Sequence, residues 1–306
     1  MLVGAKAVPA PKNKMKRQDH VTAYLMVLPA VALLLIFVIA PLFMAVEKSF
    51  TDWNFYKSSV FVGLKNYRII LENEYFRAAV FNAFKFVLII VPAQIVLSFL
   101  FAHVLAKMVR WAGTFTKMSI YVPTVIAGVV ASVIFIFLLD YRAGLLQQIV
   151  MALGLPRQAF LADKKLATVS ISVASIWLGF GYNALVMYAG LLDVPQEYYE
   201  AASIDGANGF VKMFRITIPC MKNIFVLLII GLVTGTLQTF DLPYMMTNGG
   251  PESTTLTPML YLYNNYRDLN KTMGYSIAGA ILMMFLIAFI NSFVFRIIRS
   301  EKVIDG

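Results

Sequence analysis

Six long apolar runs, separated by polar stretches, set the plan of this chain. They cover approximately residues 21–46, 79–105, 118–139, 166–192, 223–241 and 275–298. Each is close to the roughly 20 residues that a helix needs to cross a bilayer core. The pattern predicts an all-α integral membrane protein with six transmembrane helices, a polar tail over 1–20 and a short tail over 299–306. The first run is too long for the apolar core of a signal peptide and has no good small-x-small cleavage site. It is therefore expected to be a retained helix, bent or ended by Pro29 and Pro41. An even number of spans puts both termini on one side of the membrane.

The polar stretches suggest which side. With the amino terminus inside, the inner segments hold 14 Lys and Arg and the longer outer segments hold 11. The positive-inside rule then makes both termini cytoplasmic. It also puts the stretch 194–219 in the cytoplasm. The outer loops, over 47–76, 140–165 and 241–274, are longer than connectors require. The last contains Asn248-Gly249-Gly250-Pro251, a strong turn signal. Such loops would form either a receptor surface or packing caps over the bundle.

The stretch from Val194 to Pro219 is the longest polar run late in the chain, and it is built like a folded element. Pro195 can open a helix at its first position. Glu197 and Glu200 suit the early turns, where the helix dipole favours anions. Gly206 offers a stop, because glycine adopts the left-handed cap conformation. A second short helix through Phe210 and Phe214 is expected to end before Pro219. Ala201 and Ala202 would let another surface approach closely, and Tyr198, Phe210 and Phe214 are large anchors. The two glutamates call for a cation, from Lys212, Arg215 or another chain. An amphipathic helix lying on lipid headgroups is the competing reading, although two glutamates suit anionic lipid poorly.

Glu200-Ala201-Ala202, three residues, Gly206, nine residues and Ile216-x-Ile218-Pro219 resemble the EAA loop of ABC importer permeases. Asp205-Gly206-Ala207 adds to the match, and Ile218 replaces the leucine usual there. Asn248-Gly249-Gly250-Pro251, Thr254-Thr255, Tyr261-x-Tyr263 and Gly274-Tyr275-Ser276-x-Ala278 resemble the carbohydrate-uptake, MalF-like branch of the same family. Together these motifs cover most of 190–280. The extra amino-terminal helices and large outer domain of MalF proper have no counterpart here.

The resemblance implies the fold of a type I ABC importer permease (MetI-like), in a plasma (inner) membrane. It implies a second homologous permease, two ATPase subunits and an extracytoplasmic sugar-binding protein as partners, beside membrane lipid. ATP and Mg would be bound by the partner ATPase and no cofactor by this chain. Tyr198, Glu200, Ala201, Ala202, Asp205, Gly206, Phe210, Ile216 and Pro219 would then couple transport to that ATPase, and the substrate would be an oligosaccharide-type sugar.

Composition narrows the alternatives. Hydrophobic residues make up 60% and charged residues 14%, against about 25% charged in soluble domains. The formal charge of +10 is thus a topology signal and no sign of nucleic-acid binding. One cysteine, Cys220, excludes an internal disulfide and a Cys-based metal cluster. GxxxxGK[ST], HExxH and GxSxG are absent, so this chain is expected to be non-catalytic, with any ATP hydrolysis on a partner. Polar groups within spans are candidates for the substrate path. Trp177, Tyr182 and Asn183 with Gln238 and Phe240 offer the amides and aromatic faces that bind sugars, and interhelical hydrogen bonding is the competing role for Gln94, Asn183 and Gln238. Lys85 would snorkel outward. Gly231 and Gly235 suit close helix packing, within this subunit or between permeases, with the first preferred. A gradient-driven secondary transporter is the alternative function, but no clear inverted repeat or mid-span acid accompanies it.

Overall fold

The computed structural model describes residues 17–54, 59–268 and 272–298. Most of the amino-terminal tail and the tail at 299–306 lie outside them. The described residues are helical, apart from loops and an isolated antiparallel bridge between Thr51 and Phe61. The chain divides into two compact units, Met1–Lys48 and Ser49–Gly306.

The first unit carries α1 (Arg17–Leu34), a π-helical turn (Leu35–Ile39) and most of α2 (Ala40–Ser49). These join into one apolar helix, Thr22–Ser49, of spanning length. Pro29 and Pro41 therefore do not end it. Proline lacks an N–H and its ring crowds the carbonyl four residues back. The widened π turn ends two residues before Pro41 and lets that carbonyl move aside.

In the second unit α3 (Lys65–Glu72) leads into α4 (Glu74–Lys107), 34 residues long. Asn73 caps α4 by accepting from the Phe76 amide at 3.1 Å. α5 (Arg110–Val125) and α6 (Gly128–Leu138) follow, bent by 98° at the intervening pair. The run expected as a single span thus has a sharp break, where Pro123 and the extended Ile126 and Ala127 interrupt the helix. After α7 (Leu145–Ala152), Asp163 caps α8 (Lys164–Leu192). Its carboxylate accepts from the Leu166 and Lys165 amides, and these bonds hold it below its ordinary pKa.

Beyond α8 come α9 (Gln196–Ile204), α10 (Gly209–Lys212), a second π turn (Met213–Thr217) and α11 (Ile218–Cys220). α12 (Lys222–Leu237) leaves that stretch at 69°. α13 (Asp241–Thr247), α14 (Pro258–Arg267) and α15 (Met273–Ile298) complete the chain. By length and composition four helices can cross a membrane, or up to six if each bent pair is one span.

The unit is organised around α4 and α8, which pack along each other, with α5 and α12 alongside. Glycines set the closeness of these crossings. A side chain at Gly181 would collide with the Ile120 carbonyl of α5, and one at Gly190 would meet Ile224 Cγ1 at 2.7 Å. Phe99, Met187, Met221 and Leu228 form the core nearest α9, while Phe86, Ile90, Ile171 and Leu242 form a separate cluster nearer α13.

Candidate functional site

The stretch 194–219 folds as a compact element. Pro195 precedes the first turn of α9 as its cap, one position earlier than expected. At the other end Gly206 takes φ +74°, and the Gly206 and Ala207 amides bond to the Ser203 and Ala202 carbonyls at 3.1 and 2.8 Å. This is a Schellman cap, which only a residue tolerant of the left-handed region closes without strain. Asn208 caps α10 by accepting from the Val211 amide at 2.9 Å. The helical path then continues through Pro219 to Cys220, further than expected, because the π turn at Met213–Thr217 again ends two residues before the proline.

α9 has two faces. Glu197, Glu200, Ala201 and Ile204 share an exposed stripe, with Ile204 88% exposed. Tyr198, Asp205, Phe210 and Pro219 are also exposed, and the Phe210 and Phe214 rings pack together at 4.6 Å. Ala202 is partly buried, and Ile216 belongs to the wall of the Phe99 cluster and so supports the element from beneath. Tyr199, beside Tyr198, turns inward: its hydroxyl meets Thr217 Oγ1 at 2.9 Å and its ring joins the same cluster. Neighbouring helix positions lie about 100° apart, so two adjacent tyrosines cannot share a face. That spacing was the available signal for Tyr199. Lys212 donates to Ser203 Oγ at 2.6 Å. Among the described residues Glu197 and Glu200 form no ion pair.

A second site opens where α5 breaks from α6. One cleft of about 330 Å³ is lined by Gln94, Thr124, Ser175, Gly179, Gly231 and Thr236, among others. A neighbouring one of about 300 Å³ shares Ser175 and Leu178 and adds Gly128, Gln238, Thr239, Phe240 and Asp241. Gln238 and Phe240 are thus brought together there. Tyr182 is half exposed on the same row of α8 as Ser175 and Leu178, one to two turns further on. Trp177 lies on another face of α8, edge-on to Phe135 at 5.6 Å. Asn183 is buried and donates to Gln94 Oε1 at 3.3 Å, while Gln94 Nε2 donates to the Ser175 and Ile176 carbonyls. Gly179 makes room for that amide, since a Cβ there would overlap Gln94. Asp241, Thr239 and Thr124 did not stand out in the sequence, because the first two sit at the end of an apolar run and the third is a lone hydroxyl within one.

A Cβ at Gly231 or Gly235 would meet nothing within 4 Å. These glycines border the cleft and pack against no other part of the described chain, contrary to the preferred expectation of packing within the subunit. Lys85 lies on the face of α4 away from the cleft, bonded to Asn82 Oδ1 at 3.2 Å and 4.7 Å from the Phe81 centroid. The glycine-proline loop folds back on α4, where Asn82 Nδ2 donates to the Ser253 and Leu256 carbonyls at 2.7 and 3.1 Å. No group of three or more potential metal ligands occurs among the described residues.

The model of one family, described as "Binding-protein-dependent transport system inner membrane component", matches residues 18–302. The sulfoquinovosyl glycerol transport system permease protein of Agrobacterium fabrum is 29% identical, over 98% of this chain and 97% of its own length. The trehalose/maltose transport system permease protein MalF of Thermococcus litoralis is also 29% identical, over 83% of this chain and 86% of its own. A solved structure of a bacterial alginate ABC transporter, in complex with an alginate pentasaccharide-bound periplasmic protein, superposes with a TM-score of 0.77. That match is 20% identical and covers 94% of this chain and 98% of the other, so it speaks for a shared fold.

Proposed function

This chain belongs to the binding-protein-dependent transport system inner membrane component family, and from that premise we propose that it is the membrane-spanning permease of an ATP-driven sugar importer. The saccharides in the names of its relatives support the sugar assignment. On this reading each bent helix pair counts as one span, giving six, with both termini cytoplasmic. A second, homologous permease completes the path, two ATPase subunits bind ATP and Mg, and an extracytoplasmic binding protein delivers the sugar. The distribution of Lys and Arg supports that orientation.

The observation that carries the reading is α9. It is a short helix capped at its carboxyl end, presenting Glu197 and Glu200, which form no ion pair among the described residues, beside exposed Tyr198 and Ile204. Exposed apolar groups around uncompensated carboxylates fit a protein groove with a basic rim. ATP-driven motion of the docked ATPase would move α9 and, through it, the helices around the cleft. The residues at the α5–α6 break would contact the sugar: Gln238 and Thr239 by hydrogen bonds and Phe240 by its ring.

Purification of the tagged protein in mild detergent, with mass spectrometry of what accompanies it, tests this. The expected companions are an ATPase with a phosphate-binding GxxxxGK[ST] loop and a second polytopic permease. Glu200→Lys should lose the ATPase and keep the permease. Recovery of the chain alone, under conditions that preserve known complexes of this kind, would refute the proposal.

A further inference from the structure

We propose that the half of the path built by this chain admits uncharged sugars and turns anionic ones away, with the Asp241 carboxylate as the selecting group. This rests on the reading of the chain as a sugar importer's permease. The cleft at the α5–α6 break is lined by hydroxyls (Thr124, Ser175, Thr236, Thr239), by amides (Gln94, Gln238) and by the Phe240 ring. Its charge comes from Asp241, and no Lys, Arg or His lines either section. The Asp241 side chain is exposed to the cleft and takes no ion pair among the described residues.

Two helix ends here would draw an anion, those of α6 and α13, since Gly128 and Asp241 begin these helices at the same cleft. Asp241 already stands there: its Oδ2 lies 2.8 Å from where a Cβ on Gly128 would be. The glycine leaves the space that the carboxylate fills. The neighbouring cations are engaged elsewhere. Lys85 is on the far face of α4, and Lys117, about 10 Å along α5 from Thr124, lies 4.8 Å from the Tyr188 centroid.

A carboxylate accepts hydrogen bonds from sugar hydroxyls, whereas a phosphate or carboxylate on the sugar offers it acceptors alone. At a protein surface, like charges a few ångströms apart repel more strongly than in bulk water. Selection therefore works by an attractive term for one class and a repulsive term for the other. A purely structural Asp241, serving α6, would leave selectivity untouched when neutralised.

The test uses the complete importer reconstituted in proteoliposomes with its binding protein. The probes are maltose with its C6-oxidised analogue, glucuronosyl-(1→4)-glucose, and trehalose with trehalose 6-phosphate, pairs that keep both rings and differ by an acidic group. The wild type should take up the uncharged member at least about tenfold faster. Asp241→Asn should lower that ratio by about fivefold or more, by slowing the uncharged sugar and admitting the acid, and Asp241→Lys should lower it further. Gly128→Ala, which displaces the carboxylate without removing it, should move the ratio the same way. All variants share one binding protein, so a change in ratio belongs to the permease. An unchanged ratio in the variants, or a wild-type preference for the acids, overturns the inference and leaves the importer reading standing. Uptake of none of the four by a complex that hydrolyses ATP would remove the sugar assignment itself, and the inference with it.

Discussion

At the scale of single residues, Gly206 has the sharpest role. It closes α9 at φ +74°, and a Cβ there would meet nothing within 4 Å. Space is therefore not the constraint. Only the left-handed backbone is, which costs an ordinary L residue about 1–2 kcal/mol and a β-branched one more. Gly206→Val should lower sugar uptake severalfold at an ATPase rate near normal, because the cap opens and α9 no longer transmits. Gly206→Asn, which tolerates the left-handed region, should stay close to the wild type. Uptake and ATP hydrolysis measured in the same vesicles check both, and full uptake by Gly206→Val removes the role given to this turn. The glycine's place could be read from the sequence because its requirement is local. Gly231 and Gly235 could not be placed that way, since small residues four apart do not say what they face, and here they border the cleft.

At the scale of elements, the α4–α8 pair shows how one polar group can be mistaken for another. Asn183 and Gln238 looked alike as amides inside apolar runs. In the fold Asn183 is 3% exposed and bonded to Gln94, whereas Gln238 is exposed and borders the cleft. Asn183→Ala should lower the thermal unfolding midpoint in detergent, by the equivalent of about 0.6–1.7 kcal/mol for one interhelical hydrogen bond, and leave the apparent KM for sugar unchanged. Gln238→Ala should raise KM with little change in the midpoint. The opposite pattern would exchange their roles. Apolar length made the long helices legible, because a spanning segment must satisfy its own backbone. The 98° break was not legible: Ile126, Ala127 and Gly128 are as apolar as their surroundings, and only the fold shows α5 packed on α8 and α6 on α13. Pro41 and Pro219 misled in the other direction, since each is accommodated by a π turn that hydropathy does not register.

At the scale of the whole molecule, the second unit holds an exposed helical element, the one proposed for docking, near one core cluster and a polar cleft near another. The motif at Glu200–Pro219 was legible as a pattern of residue types. The cleft was not, because it is assembled from α4, α5, α6, α8, α12 and α13, most of which lie far apart in sequence. The hydroxyl contact between Tyr199 and Thr217, 2.9 Å long, bridges α9 and the π turn at Met213–Thr217. In mechanical terms it makes α9 a beam with two supports. One is the chain joint to α8 at Asp193–Pro195, and the other is the pin to the π turn that leads into α12. On the proposed coupling role, a thrust on Glu200 would be shared between α8 and α12, which border the cleft from different sides, instead of running up a single strut. Removing the pin should leave a cantilever: Tyr199→Phe should keep the ATPase bound and hydrolysing while each ATP moves less sugar, and an unaltered sugar-to-ATP ratio would mean that the joint at α8 bears the load alone.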